Sequence, residues 1–345
     1  MRYDRAVCFV IAFALSIAAG VAIAGPFEDA ETALRRGDYA TALRLLQPLA
    51  NWGDRDAQYT LGVMYENGRG VRQDRAEAAK WFQKAAGQGQ RNAQYNLGVM
   101  YAAAQGVPRD LAEAANWFQK AANQGHVVAQ YNLGTMYAAG QGVPQDDAEA
   151  AKWFQNAADQ GQRNAQYNLG TMYVAGRGVR QDYAEAVNWF RKAADQGHAG
   201  AQNSLGGMYQ SGRGVPQDYA EAVKWYRQSA DQGLALGQYN LGLMYAEGQG
   251  VPQNFAEAVS WYRKAADQGL ALGQINLGGM YVAGQGVPQD YVQAHKWYNL
   301  AASRFPASET KDREIAAKNR DIVAAKMTPA QIAEAQKFAR EWNAK

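Results

Sequence analysis

The sequence predicts an all-α solenoid of stacked helix pairs, and three observations carry the prediction. Tryptophan recurs every 36 residues, at Trp81, Trp117, Trp153, Trp189, Trp225, Trp261 and Trp297. Around it a whole unit recurs without insertion or deletion. The first copy, AQYTLGVMYENGRGVRQDRAEAAKWFQKAAGQGQRN, fills residues 57–92, the second begins at Ala93 and the seventh at Gly273. Within each copy, glycines separate two stretches of helical periodicity. A period of this size marks an architecture in which each unit buries its apolar face only by stacking on its neighbours. A repeated surface of that kind suits extended binding better than a single asymmetric catalytic site.

The fourth copy, residues 165–200, illustrates each element. Ala165, Leu169, Met172 and Tyr173 have helical spacing and define the first helix. Gly176 and Gly178 interrupt it, as residues that accept left-handed backbone do. Val179 is expected to plug the connecting loop into the core. Asp182 starts the second helix as its N-cap, with Glu185 three residues on completing an acidic capping box. Ala186, Trp189, Phe190, Ala193 and Ala194 form the buried stripe of that helix. Gly197 then supplies the C-terminal cap.

Two recurrent features invite a functional reading and have a structural one. Glu77, Glu113, Glu149, Glu185, Glu221, Glu257 and Gln293 share a phase that could form a carboxylate ladder. Each lies three residues after Asp74, Asp110, Asp146, Asp182, Asp218, Asn254 or Asp290, so helix capping accounts for both positions together. Gly62, Gly98, Gly134, Gly170, Gly206, Gly242 and Gly278 lie inside the first helices, where each costs about 1 kcal/mol relative to alanine. The repetition predicts a close approach by a neighbouring helix, beneath the bulky tryptophan.

Residues 1–24 are a separate object. Arg2 and Arg5 precede an apolar run through Val7, Phe9, Ile11, Phe13, Leu15 and Ile17. Ala22-Ile23-Ala24 then matches the small-x-small pattern of a signal-peptidase site. Cleavage after Ala24 and a periplasmic or secreted location are expected; an uncleaved membrane anchor is the competing reading. Cleavage would remove Cys8, the single cysteine, leaving repeat packing as the source of stability. A formal charge of +3, with no Lys/Arg run of five, is too small for a dedicated nucleic-acid surface.

The motifs A-Q-Y-N-L-G-x-M-Y, G-x-G-V-P-Q-D-x-A-E-A and W-[FY]-x-K-A-A-x-Q-G resemble the Sel1-like repeat family, relatives of the tetratricopeptide repeat. The resemblance covers residues 57–303 in seven copies. It implies a right-handed superhelix of antiparallel helix pairs that serves as a protein-binding scaffold. Cysteine-rich members carry a disulfide in each repeat; this chain lacks those cysteines, so a β-lactamase or cell-wall hydrolase activity has no residues here to rest on. Residues 25–56 read as a degenerate preceding repeat, with Tyr39, Ala42, Leu45, Ala50 and Gly53 at the phases of the second helix. Residues 304–345 read as capping helices. Phe305-Pro306 replaces the expected glycine cap, and Ser308 is placed as the cap of a helix running to about Lys326. Thr328-Pro329-Ala330-Gln331 starts a last helix whose stripe is Ile332, Ala335, Ala339 and Trp342.

Comparison of the copies locates a candidate binding surface. In the first helix the phases of Tyr167, Thr171 and Val174 vary while their neighbours recur, and spacings of four and three put the trio on one face. In tetratricopeptide-like stacks the first helices line the concave surface, so this stripe is expected to pave a groove. Its tyrosines are Tyr59, Tyr95, Tyr131, Tyr167 and Tyr239; beside them recur Asn96, Asn132, Asn168, Asn240 and Asn276. Tyrosine offers contact area with little rotamer entropy, and an amide row suits the backbone of an extended peptide. The alternative is that Tyr packs between repeats and Asn bonds a neighbouring helix or loop.

Searches for chemistry return nothing: no P-loop, H-E-x-x-H or G-x-S-x-G occurs. His126 and His198 lie two repeats apart, too far to share a metal at roughly 20 Å. The expected function is an exported, non-catalytic scaffold that binds a protein or peptide in its groove, with no metal or other cofactor. After signal cleavage neither nucleic acid nor membrane is expected as a partner. The alternative is a periplasmic regulator of a sensor or cell-envelope enzyme.

Overall fold

The structure, a computed structural model, describes residues 25–304 and 310–343. The expected signal segment, its cleavage after Ala24, and the readings of Phe305-Pro306 and Ser308 lie outside the described residues. Eighteen α-helices and no strands make up what is described. The all-α helix-pair architecture is thus as the sequence predicts. The chain divides into two units, Met1–Asn156 and Ala157–Lys345.

The first unit contains α1 (Pro26–Arg35), α2 (Tyr39–Asn51), α3 (Arg55–Asn67), α4 (Arg75–Gly87), α5 (Arg91–Ala103), α6 (Leu111–Asn123) and α7 (Val127–Ala139). The boundary falls inside α8 (Asp147–Asp159). The second unit continues with α9 (Arg163–Ala175), α10 (Tyr183–Asp195), α11 (Ala199–Ser211), α12 (Tyr219–Asp231), α13 (Ala235–Glu247), α14 (Phe255–Asp267), α15 (Ala271–Ala283) and α16 (Tyr291–Arg304). It closes with α17 (Thr310–Ala324) and α18 (Pro329–Asn343).

The caps work as predicted in one half and differently in the other. Asp74 Oδ1 accepts the Glu77 N–H at 3.0 Å, and Asp110, Asp182, Asp218, Asn254 and Asp290 do the same. The reciprocal bond of a capping box is replaced. The Asp74 N–H donates to the Tyr65 carbonyl at 2.9 Å, and the same loop closure recurs at Asp110, Asp182 and Asp290. Glu77, Glu149 and Glu221 instead pair with Lys80, Lys152 and Lys224 one turn on. These carboxylates are half-buried partners of exposed lysines, worth little to stability.

The helix-interior glycines are explained by contact with an aromatic residue other than the expected one. A Cβ on Gly170 would stand 2.6 Å from Phe190, the residue after the tryptophan, and Gly62, Gly98 and Gly134 face Phe82, Phe118 and Phe154 likewise. The second helix therefore lays its Phe or Tyr against bare backbone, while the tryptophan serves another junction. Ala78, Phe82 and Ala85 of α4 form one cluster with Ala93, Leu97 and Met100 of α5, and Trp117 packs against it from the next helix. Each tryptophan thus closes the seam between the two preceding helices. Lys84 and Lys192 lie 4.0 and 3.7 Å over the Trp81 and Trp189 rings, covering their outer faces with cations.

Successive repeats meet so closely at one loop position that only glycine fits. A Cβ on Gly106 would be 2.2 Å from the Arg75 carbonyl oxygen, and one on Gly214 2.2 Å from that of Tyr183. Val107 and Val215, beside these glycines, pack into the neighbouring clusters as the loop plugs the sequence predicts. In the degenerate N-terminal pair, Ala42, Leu46 and Ala50 join Leu61, Met64 and Trp81 in one core, so it stacks like a true repeat.

Both C-terminal helices pack on α16. Ala316 joins Ala271 and Ala301, and Val323 joins Ala294 and Tyr298. At the start of α18, Thr328 Oγ1 accepts the Gln331 N–H at 3.3 Å while Gln331 Oε1 accepts the Thr328 N–H at 2.9 Å, the full capping box. Ala335 and Ala339 are buried, and Trp342 meets Trp297 edge-on with ring centroids 6.2 Å apart.

Candidate binding surface

The ten tyrosines and asparagines singled out by sequence are all half-buried, and each row has its own structural employment. Every tyrosine ring tilts against the aromatic residue of its own second helix: Tyr59 on Phe82, Tyr95 on Phe118, Tyr131 on Phe154, Tyr167 on Phe190 and Tyr239 on Tyr262, with centroids 5.8–6.0 Å apart. Three of the hydroxyls meet the next repeat: the Asn96 amide stands beside the Tyr59 hydroxyl, Asn132 beside that of Tyr95, and Asn276 beside that of Tyr239. Where asparagine replaces tyrosine, the link persists, with Asn240 Nδ2 donating to Asn203 Oδ1 at 2.8 Å.

Burial raises the pKa of the Tyr59, Tyr95 and Tyr239 hydroxyls above the ordinary phenol value, and the asparagine amide pulls partly back. The hydroxyls are neutral donors and acceptors over the physiological range. These contacts form a clasp from one first helix to the next at three of the five tyrosines.

One place brings the varying phases together as a concavity. In the first unit, a cleft of about 330 Å³ lies between α5, α6 and α7. Val99 and Ala102 line it from α5, Leu111 and Phe118 from α6, and Tyr131, Asn132, Thr135 and Met136 from α7. Val99, Ala102, Tyr131 and Thr135 all belong to the phases that differ among copies. The walls of the cleft are mostly apolar, and the Asn132 and Gln141 amides lie within it. Tyr59, Tyr95, Tyr167, Tyr239, Asn96, Asn168 and Asn240 do not line this cleft; Tyr95 and Asn96 lie earlier on α5, and the others occupy the same phases on other first helices.

A second polar ladder escaped the sequence reading. Gln58, Gln94, Gln166, Gln202 and Gln238 are buried, and each donates its amide to a carbonyl in the last turn of the preceding second helix, as Gln94 Nε2 does to Ala86 at 3.1 Å. Their Oε1 atoms accept from Gln88, Gln124, Gln196, Gln232 and Gln268, thirty residues on, at 2.6–2.8 Å. The signal was present as a glutamine at two fixed phases; nothing local says that the two side chains meet. His126 and His198 also have a defined place, as N-caps of α7 and α11. Among the described residues, no three His, Cys, Asp or Glu side chains gather as a metal site would require. No described helix is long and apolar enough to cross a membrane.

Stacked helix pairs joined by polar ladders define a helical repeat protein of the interaction-scaffold class. Residues 55–90, 91–126, 127–162, 163–198, 199–234, 235–270 and 271–304 each match the Sel1 repeat, and the chain belongs to that family. A Sel1 repeat protein from Oxalobacter formigenes is 39% identical over 82% of this chain and 85% of its own, with a TM-score of 0.65. A protective antigen of uropathogenic Escherichia coli, c5321, which displays an SLR fold, is 31% identical over 92% and 84%, with a TM-score of 0.46. None of the curated proteins compared gives a significant match. Sel1 repeats generally mediate protein–protein interaction and are typically non-catalytic.

Proposed function

We propose that this protein is an exported, non-catalytic scaffold that captures a protein or peptide on the first-helix face, with the α5–α6–α7 cleft as an anchoring point. The cleft carries the reading: the positions that differ among otherwise uniform repeats line an apolar concavity. An apolar side chain of the partner fits there, and the Asn132 amide is placed to meet its backbone. Tyr59 and Tyr95 with Asn96 extend the surface in the first unit, and Tyr167 and Tyr239 with Asn168 and Asn240 are its counterpart in the second. Export follows from residues 1–24, whose removal after Ala24 leaves Gly25 as the first residue.

The tyrosines pack against core aromatics, so truncating them tests folding as much as binding. Ala103 and Thr135 are exposed at the cleft and are better probes. The mature protein, its N-terminus read by mass spectrometry, is used to capture partners from an envelope extract beside an A103E/T135E variant. The expected result is an unchanged melting temperature and loss of the captured protein. Equal capture by both proteins rejects the cleft as the binding site.

A further inference from the structure

Two first helices are capped by histidine where two others are capped by glutamine, and both histidines make the same three contacts. His126 Nδ1 accepts the Ala129 N–H at 3.1 Å, and His198 Nδ1 accepts the Ala201 N–H at 3.0 Å. Each imidazole stacks on the tyrosine of the preceding first helix, His126 on Tyr95 at 4.4 Å and His198 on Tyr167 at 4.6 Å between centroids. Beside each stands an arginine fixed to a nearby carbonyl: Arg91 donates to Gln124 O at 3.3 Å, and Arg163 to Gln196 O at 3.5 Å. A ring nitrogen that accepts a hydrogen bond carries no proton. Protonating it turns the acceptor into a donor facing another donor. It also sets a cation at the positive end of a helix and beside an arginine.

We propose that His126 and His198 are acid-sensitive clasps, which hold the start of α7 and α11 and the stacked Tyr95 and Tyr167 at neutral pH and release them on protonation. Burial first, and then Arg91 or Arg163, holds each histidine below its ordinary pKa, outweighing its own backbone hydrogen bond, which pulls the other way. The cap therefore contributes stability at neutral pH, and that contribution is lost as pH falls below about 6.5. The facing Tyr95 hydroxyl is raised by burial, which outweighs the opposite pull of the Asn132 amide, so it stays neutral throughout this window. His295, buried in α16 near Arg320 and Asp321, also lies below its ordinary value, and is a background present in every variant below.

The chain contains its own controls. Gln90 and Gln162 occupy the same N-cap phase and accept the Ala93 and Ala165 N–H with a side chain that does not titrate. Amide hydrogen exchange on the full chain is measured at pH 7.5 and pH 5. Protection of Ala129 relative to Ala93, and of Ala201 relative to Ala165, is expected to fall about fivefold on acidification, the loss of one helix cap. In H126Q/H198Q, which keeps a cap of the kind the chain already uses, both ratios are expected to stay constant. Ratios that do not change with pH in the wild type overturn the proposal, as does an equal change in the double variant.

Discussion

At the scale of single residues, Ala104 is the position where the chain departs from its own rule. It caps α5 with φ 55° and ψ 41°, while glycine holds the equivalent left-handed position after α3, α7, α9, α11, α13 and α15. A Cβ in that region is strained, by about 1–2 kcal/mol. A104G is expected to stabilise the protein by about 1 kcal/mol, read as a higher denaturant midpoint at unchanged slope. No change in midpoint would show that the loop has relaxed around the alanine. Such caps are legible from sequence because glycine and aspartate act on backbone within four residues. The partner of Gly170 was not legible. Trp189 and Phe190 are adjacent and both large, and only the rotation of α10 against α9 decides which one lies on the bare backbone.

At the scale of the helix, the buried glutamines tie first helices to second ones. Gln94 donates to Ala86 O and accepts from Gln124 Nε2, bonding the helix before it and the loop after α6. Q94L removes both bonds at constant bulk and is expected to cost about 1–3 kcal/mol by chemical denaturation. Q94E should cost more at neutral pH, because a carboxylate then faces the Ala86 carbonyl with no proton to share. A Q94E protein as stable as wild type would mean that this ladder contributes nothing. Sequence periodicity marks the glutamines as recurrent, yet their pairing spans thirty residues. Side-chain bonds of that separation depend on how far one repeat is displaced on the next, which is a tertiary quantity. The Tyr–Asn clasp has the same origin, and Asn240 shows how an amide can look available in sequence while it is already bonded.

At the scale of the whole molecule, a stack of repeats must end without exposing its seam. In the second unit the tail does this work, with Ala316, Val323, Ala339 and Trp342 covering the core of α15 and α16. Removing residues 305–345 would uncover Ala294, Tyr298 and Trp297, which are otherwise buried. The truncated chain is expected to melt at lower temperature and to self-associate, as sedimentation velocity would record. A monomer of unchanged stability would mean that the tail is not a cap.

By itself the sequence determined the repeat period, the helix pairs, the glycine loops, the aspartate caps and the surface whose composition varies. Each rests on backbone chemistry within one or two turns, repeated at fixed phase so that chance patterns cancel. Only the tertiary structure decided which aromatic lies against glycine, where the glutamine and asparagine amides find partners, and that the varying phases of α5 and α7 open into a cleft. Those outcomes depend on the rotation and offset of one helix against the next, and side-chain volume there is summed over residues far apart in the chain.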